Sequence, residues 1–132
     1  MAVTHKGAAL AAATDAVTAL IGASGNLKFH ITGSTVATPS ATVATLPLSA
    51  TGFAAASATT GIATANAITS DTNATGNAGA VAFASLQTSA DSAIIHCAVA
   101  ASASDINMTN GLTVASGDTV SCSSLTYQAI SA

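Results

Sequence analysis

The chain has 132 residues and a mass of 12.5 kDa, which is enough for one domain. Only 5% of the residues are charged, against about 25% in soluble domains, and the formal net charge is −3. With Lys6 and Lys28 as the only basic side chains apart from histidine, the chain has no basic surface that could neutralise phosphates or anionic lipid, which excludes nucleic-acid binding. The sequence contains no apolar run of about 18 residues, so no membrane span is predicted.

Large core-forming side chains are scarce. Alanine, threonine, serine and glycine number 34, 20, 16 and 10, whereas valine, leucine, isoleucine and phenylalanine total 27. A domain with so few large side chains is poorly equipped to stand alone in water. The composition therefore predicts a subunit that buries further surface against copies of itself or against a larger partner.

The first residues, 1–7, are predicted to be an N-terminal arm that either frays or becomes ordered on a neighbouring subunit. An alanine-rich helix is predicted over 8–21, ended by Gly22. Its apolar stripe consists of Leu10, Val17, Leu20 and Ile21. Lys6 and the alanines after it resemble a secretion signal, but Asp15 interrupts the apolar stretch.

Short strands separated by turns are predicted beyond the helix. The alternation of Leu27, Phe29 and Ile31 with polar residues predicts a half-buried strand, and 33–40 is a predicted loop. A strand is predicted over 42–48, and Pro47 either ends it or places it at a sheet edge, because proline has no N–H to donate.

Later strands are predicted over 61–69, in a hairpin, and near the carboxyl end. The hairpin joins 80–87 to 93–99 through five residues. Short pieces at 106–108 and 112–114 follow, and a last run covers 119–130 with a bulge at Ser123–Ser124. The fold class is therefore mainly β: residues 8–132 form a single domain, an antiparallel β-sandwich or jelly roll with one short N-terminal helix.

No residue is predicted to be catalytic, cofactor-binding or metal-binding. His5, His30 and His96 lie in no nucleophile motif and are interpreted as exposed or edge-strand histidines. The predicted turns at Asp71, Asp91, Asp105 and Asp118 favour carboxylates that accept hydrogen bonds from nearby backbone N–H groups. We therefore expect no enzyme and no cofactor.

Cys97 and Cys122 lie 25 residues apart in separate predicted strands. They are interpreted first as free buried thiols, second as a disulfide between sheets, and third, with His96, as metal ligands. The usual ligand spacings C-x2-C and H-x3-H are missing, which makes the metal alternative the weakest.

Three stretches resemble a family of small virion proteins of tailed bacteriophages. They are DAVTALIGASGNLKFHITG at Asp15–Gly33, ATANAITSDTNATGNAGAVAF at Ala63–Phe83, and SDINMTNGLTVASGDTVSCSSLTY at Ser104–Tyr127. Together they cover about two-thirds of the chain in order. The resemblance implies a structural role in the virion, without an activity, and does not separate head from tail.

These features support a non-enzymatic virion protein, located in a particle assembled in the host cytoplasm. The favoured role is a capsid decoration or cement protein that binds the major capsid protein or other virion proteins as a homo-oligomer. A tail, neck or fibre component is the alternative. A secreted adhesin-like or ice-binding module is the alternative of another class, suggested by Thr64, Thr69, Thr72 and Thr75, although no repeat of fixed length recurs.

Overall fold

The computed structural model describes residues 3–129 and contains, over that part, one helix and seven short strands. The helix α1 covers Gly7–Ile21. The strands are β1 (Asn26–His30), β2 (Thr42–Pro47), β3 (Ile62–Thr64), β4 (Phe83–Gln87), β5 (Ala93–Ala100), β6 (Ile106–Asn107) and β7 (Thr126–Gln128).

The predicted helix is confirmed, with one residue more at its start. It ends at Gly22, whose φ of 73° suits glycine because an added Cβ would be strained there. Its buried side chains are Leu10, Ala11, Thr14 and Ile21. The prediction was wrong for Leu20, which is 63% exposed, because the face turned to the sheets is narrower than the apolar stripe in the sequence.

The strands form a five-stranded sheet, in the order β2-β1-β4-β5-β6, and a separate pair, β3-β7. The larger sheet is curled like half of a barrel. Its pairings are antiparallel except that of β5 with β6, in which Val99 lies beside Ile106 in parallel. The sheet is therefore mixed, and the expectation of purely antiparallel pairing was wrong at this edge.

Several strand predictions are confirmed. Leu27 and Phe29 of β1 are buried on one face, β2 is an edge strand that ends at Pro47, and β4 and β5 form the predicted hairpin. The last prediction succeeded because hairpin pairing needs only a short connection and two matched strands.

Other predictions failed where small residues leave the strand pattern ambiguous. No bulge occurs at Ser123–Ser124: Val120 makes an isolated bridge to Asp71, and the chain leaves the ladder before β7 begins. The irregular pairings lie instead at Phe29/His30 and at Leu86/Gln87. The predicted strand over 61–69 is paired continuously only in β3, and 112–114 forms no strand.

The core lies against the face of the larger sheet that carries Leu27 and Phe29. Its larger buried members are Ile21, Leu27, Phe29, Val43, Leu46, Leu48, Phe53, Val81, Leu86, Val99, Val114 and Val120. Helix α1 packs mainly on β3 and β7, so it joins the smaller sheet to the core. Within residues 3–129 no helix is both long and apolar enough to cross a membrane.

Candidate functional site

All five aspartates are engaged in bonds within the chain. Asp15 Oδ1 accepts from Ala56 N–H at 2.8 Å, although 41 residues separate them. Asp105 Oδ2 accepts from Ala98 N–H at 2.9 Å. The first bond ties a loop to α1 and the second ties a loop to β5, because a carboxylate is a strong acceptor for a backbone N–H that has no ladder partner.

The predicted backbone-acceptor role holds at the turns with one exception. Asp71 accepts from Asn73 N–H at 3.0 Å, and Asp118 accepts from Ala115 N–H at 2.9 Å. Asp91 instead forms an ion pair with Lys28, Nζ to Oδ1 at 2.7 Å. The ion pair neutralises Asp91, whereas the other four carboxylates keep their charge while their oxygens accept backbone hydrogen bonds.

A buried polar cluster joins β1 to β4. His30 Nε2 lies 2.7 Å from Ser85 Oγ, and His30 Nδ1 lies 2.9 Å from the carbonyl oxygen of Ser40. Gln87 donates from Nε2 to the same Ser85 oxygen at 2.8 Å. Because a carbonyl only accepts, Nδ1 must carry the proton, and the Ser85 hydroxyl then donates to Nε2 in the neutral imidazole.

This cluster has the distances of a nucleophile and base but no access to a substrate. Burial lowers the pKa of His30 below its usual 6.5, which keeps the ring neutral and able to accept. His30 and Ser85 are both fully buried and Gln87 is 3% exposed. The arrangement therefore satisfies buried polar groups and fixes the pairing of two strands.

The interpretation of His30 as an exposed or edge-strand residue was wrong, since β1 lies inside the sheet. His5 is exposed, as expected. His96 lies half-buried on β5, where its Nε2 is 3.1 Å from Ser34 Oγ and its ring centre is 5.0 Å from that of Phe83. The structure brings no two of these histidines together as ligands or catalytic partners.

Sequence analysis missed Ser85 and Gln87. The signal was present in their parity: they alternate with Ala84 and Leu86, which marks a polar face on β4. A polar face on one strand calls for a polar partner on the next, and Lys28 and His30 supply it on β1. Thr14 was also missed, because a threonine within an alanine-rich helix gives no local sign of its distant partners.

The two cysteines are unpaired and half-buried, in agreement with the first of their three interpretations. Burial raises the pKa of Cys97 to about 11, and the carboxylate of Asp105 adds to the shift. Burial also raises the pKa of Cys122. Within residues 3–129, no group of three or more metal-ligating side chains is close enough to hold an ion.

The four threonines that suggest an ice-binding face are all exposed, but they do not form a rank on one sheet. Thr64 lies on β3, whereas Thr69, Thr72 and Thr75 lie outside the strands. Among the described strands, Thr64 of β3 and Thr126 of β7 are the only two threonines paired directly across a ladder.

A large groove separates β5 from β7. It has a volume of about 1060 Å³ and is walled by residues 94–97 of β5 and 125–128 around β7, with Val17, Val36 and Asp105 also lining it. We call it the β5–β7 groove. Ile95 and Cys97 occupy one face of β5 and His96 the other, so the groove passes around the edge of the strand.

The backbone of β5 is open along part of this edge. Val99 N–H donates to Ala82 O at 2.9 Å, so the odd-numbered residues turn their backbone groups towards β4 and His96 turns its own away. From Ala98 onward the edge is covered by Asp105 and β6. Within the described chain, the backbone groups of His96 have no partner.

The opposite edge of the sheet, at β2, is covered along its length. Thr45 N–H donates to Asp71 Oδ2 at 2.9 Å, and the carbonyls of Val43 and Pro47 accept from Gly76 and Thr69, each at 2.9 Å. Covering an edge prevents unwanted strand addition. The fold thus protects one edge and leaves the other open at the groove.

Comparisons of the chain with protein-family profiles, with curated proteins and with solved structures found no match.

Proposed function

We propose that this chain is a non-enzymatic structural protein of a tailed-bacteriophage virion, a decoration or cement protein that binds the capsid shell as a homo-oligomer. The observation that carries the proposal is the internal use of charge. The five aspartates are bound to backbone N–H groups or to Lys28, so the surface offered to a partner is mostly alanine, serine and threonine. Small uncharged side chains let two backbones approach closely over a broad contact.

The segments that resemble phage proteins fall on structurally important elements. Asp15–Gly33 includes the second half of α1 and all of β1, and Ser104–Tyr127 includes β6 and most of β7. The second of these also supplies Asp105 and Leu125 to the β5–β7 groove. The segments of the resemblance therefore supply part of the groove lining, and the β5 wall lies outside them.

The sandwich or jelly roll expected of such a protein belongs to this proposal. In it, the five-stranded sheet is one layer and β3-β7, with α1, is the reduced second layer. The half-barrel would be completed by contacts with neighbouring subunits. Each contact is modest, and a shell of many identical sites gains stability from their number.

The test is the composition of the purified particle. Mass spectrometry of virions, with cryo-electron microscopy of the head, is expected to find the chain bound to the major capsid protein in hundreds of copies. Tens of copies or fewer would assign it to the tail, neck or fibre instead. Absence from the particle would refute a virion role.

N-terminal cleavage of the chain would distinguish a secreted module from a virion protein. We expect the mature protein to retain its N-terminal residues, which N-terminal sequencing measures directly. Cleavage near Ala23 would remove α1 with Thr14, and it would support the secreted alternative over the virion protein.

A further inference from the structure

We infer that the β5–β7 groove is a docking site for the N-terminal arm of a second copy of this chain, which adds there as a β-strand. The inference deepens the proposed homo-oligomer and in that sense rests on it. The contact itself, however, involves this chain alone and can be tested without a particle.

The groove is shaped for an extended chain because two strand edges face it. His96 directs its backbone N–H and carbonyl away from β4, towards the open edge of β5. On the other wall, Ala65 N–H donates to Leu125 O at 2.8 Å, so Thr126 and Gln128 direct their backbone groups away from β3. An added strand can satisfy donors and acceptors on either wall, as in other cases of strand addition.

The N-terminal arm has the properties of such a strand. In the structure Val3–Lys6 belongs to no helix or strand and is exposed, and Val3 is 63% exposed. Val3 and Thr4 are β-branched residues, which favour strands. An apolar groove lined by Val36 and Ile95 would cover the valine side chain that water now surrounds.

The charges are complementary. The groove contains Asp105 and no lysine or arginine, and the Ala98 N–H occupies only one oxygen of that carboxylate. Lys28 is already paired with Asp91, which leaves Lys6 as the lysine available for a contact between chains. A strand formed by residues 3–6 would bring this ammonium group to the acidic wall.

Residues 3–6 of the same chain lie too far from the groove to form this strand. Gly7, where α1 begins, packs closely against the backbone of Thr59, whereas Val17 lies in the groove. Ten residues of helix separate them by about 15 Å. Four extended residues span about 13 Å, so they do not reach Val17 and then continue along β5. A second copy is the occupant that the geometry favours.

Sedimentation velocity of the purified chain tests the contact. We expect association that increases with concentration and is lost when residues 2–5 are deleted, a deletion that keeps the Lys6 carbonyl bonded to the N–H groups of Ala9 and Leu10. An unchanged melting temperature would show that the shortened chain is folded. A chain that is monomeric at every concentration, or that associates equally well without the arm, would overturn the inference.

Charge variants test the pairing of Lys6 with Asp105. Lys6→Glu is expected to weaken association about fivefold, the effect of one exposed ion pair. Asp105→Asn retains an oxygen for Ala98, and in that background Lys6→Glu should have little further effect. Asp91→Asn is the control, since it removes a negative charge away from the groove. Equal weakening by Lys6→Glu in both backgrounds would contradict the pairing.

Disulfide trapping tests the location. In a background of Cys97→Ala and Cys122→Ala, a chain with Val3→Cys is mixed with one carrying Ile94→Cys. We expect a mixed dimer, because a disulfide forms only when the two Cα atoms come within about 7 Å. Thr72→Cys, near the covered β2 edge, is the matched control and should not be trapped. No trapping at residue 94, or equal trapping at residue 72, would refute the groove as the site, whatever the chain's place in a virion.

Discussion

Replacing Thr14 by valine tests how the smaller sheet is held to the helix. The Thr14 side chain is fully buried in α1. Its hydroxyl donates to the carbonyl of Gly61 at 2.7 Å and accepts from Ala129 N–H at 2.9 Å. Gly61 and Ala129 flank the β3-β7 ladder, so this hydroxyl bridges the donor and the acceptor of what would be one further backbone hydrogen bond.

Thr14→Val keeps the shape of the side chain and removes both hydrogen bonds. Each buried backbone group left without a partner costs about 1–3 kcal/mol. Some of the loss is offset by the added methyl group, worth about 0.8 kcal/mol. We therefore expect the free energy of unfolding to fall by about 2–4 kcal/mol, out of a total of about 5–15 kcal/mol for a typical domain. Tm should fall by about 10 °C.

Urea and thermal unfolding followed by far-UV circular dichroism measure the change. Thr14→Ser retains the hydroxyl and should lose only about 1 kcal/mol, from the missing methyl group. Thr18→Val is a matched control in the same helix, because among the described residues the Thr18 hydroxyl bonds only to the Asp15 carbonyl one turn earlier, at 3.2 Å. Hydrogen exchange at the Ala129 amide should accelerate in Thr14→Val alone. The reasoning would be refuted if Thr14→Val were as stable as the unmodified chain, or if Thr14→Ser lost as much stability as Thr14→Val. Either result would mean that the hydroxyl does not bond to the backbone beside the β3-β7 ladder.

The structure also predicts how three other residues affect stability or reactivity. Because the pKa of His30 is lowered in the folded chain, the unfolded chain binds more protons just below pH 6.5. The free energy of unfolding should therefore decrease as pH falls through that range. Urea unfolding at several pH values should show a smaller decrease for His30→Gln. With its pKa raised from 9.0 to about 11, Cys97 should react with iodoacetamide at pH 8 roughly a hundredfold more slowly than in urea, and equal rates would refute its burial. Gly61 has a φ of 73°, and an added Cβ would lie 2.5 Å from Leu10 Cγ. Gly33 has a similar φ, but open space surrounds the position of its Cβ. Gly61→Ala should therefore lower the melting temperature in calorimetry more than Gly33→Ala does.

Local patterns in the sequence predicted the elements that depend on neighbouring residues. The alanine run before Gly22 indicates α1, and the alternation of Leu27 with Phe29 indicates β1. The β4–β5 hairpin needs only a short connection. In each case the determining residues lie within a few positions of one another, so periodicity and turn chemistry are sufficient.

Pairings between distant segments were not predictable in the same way. The parallel contact of β5 with β6 depends partly on the Asp105 carboxylate, which binds Ala98 N–H beside it. Alanine on both faces of a strand gives no preference for one register. The polar cluster depends on His30 and Ser85, 55 residues apart, and only the parity of each strand hints at the match.

The bond between Thr14 and Ala129 has a consequence for how the chain is made. It joins residues 115 positions apart, and β1 must likewise wait for β4 before it is paired on both sides. On a ribosome, α1 and β1 would emerge long before the segments that cover them. Contacts of such long sequence separation slow folding. The native fold is therefore completed only after nearly the whole chain has been synthesised, and until then the first third of the protein is a substrate for chaperones and proteases.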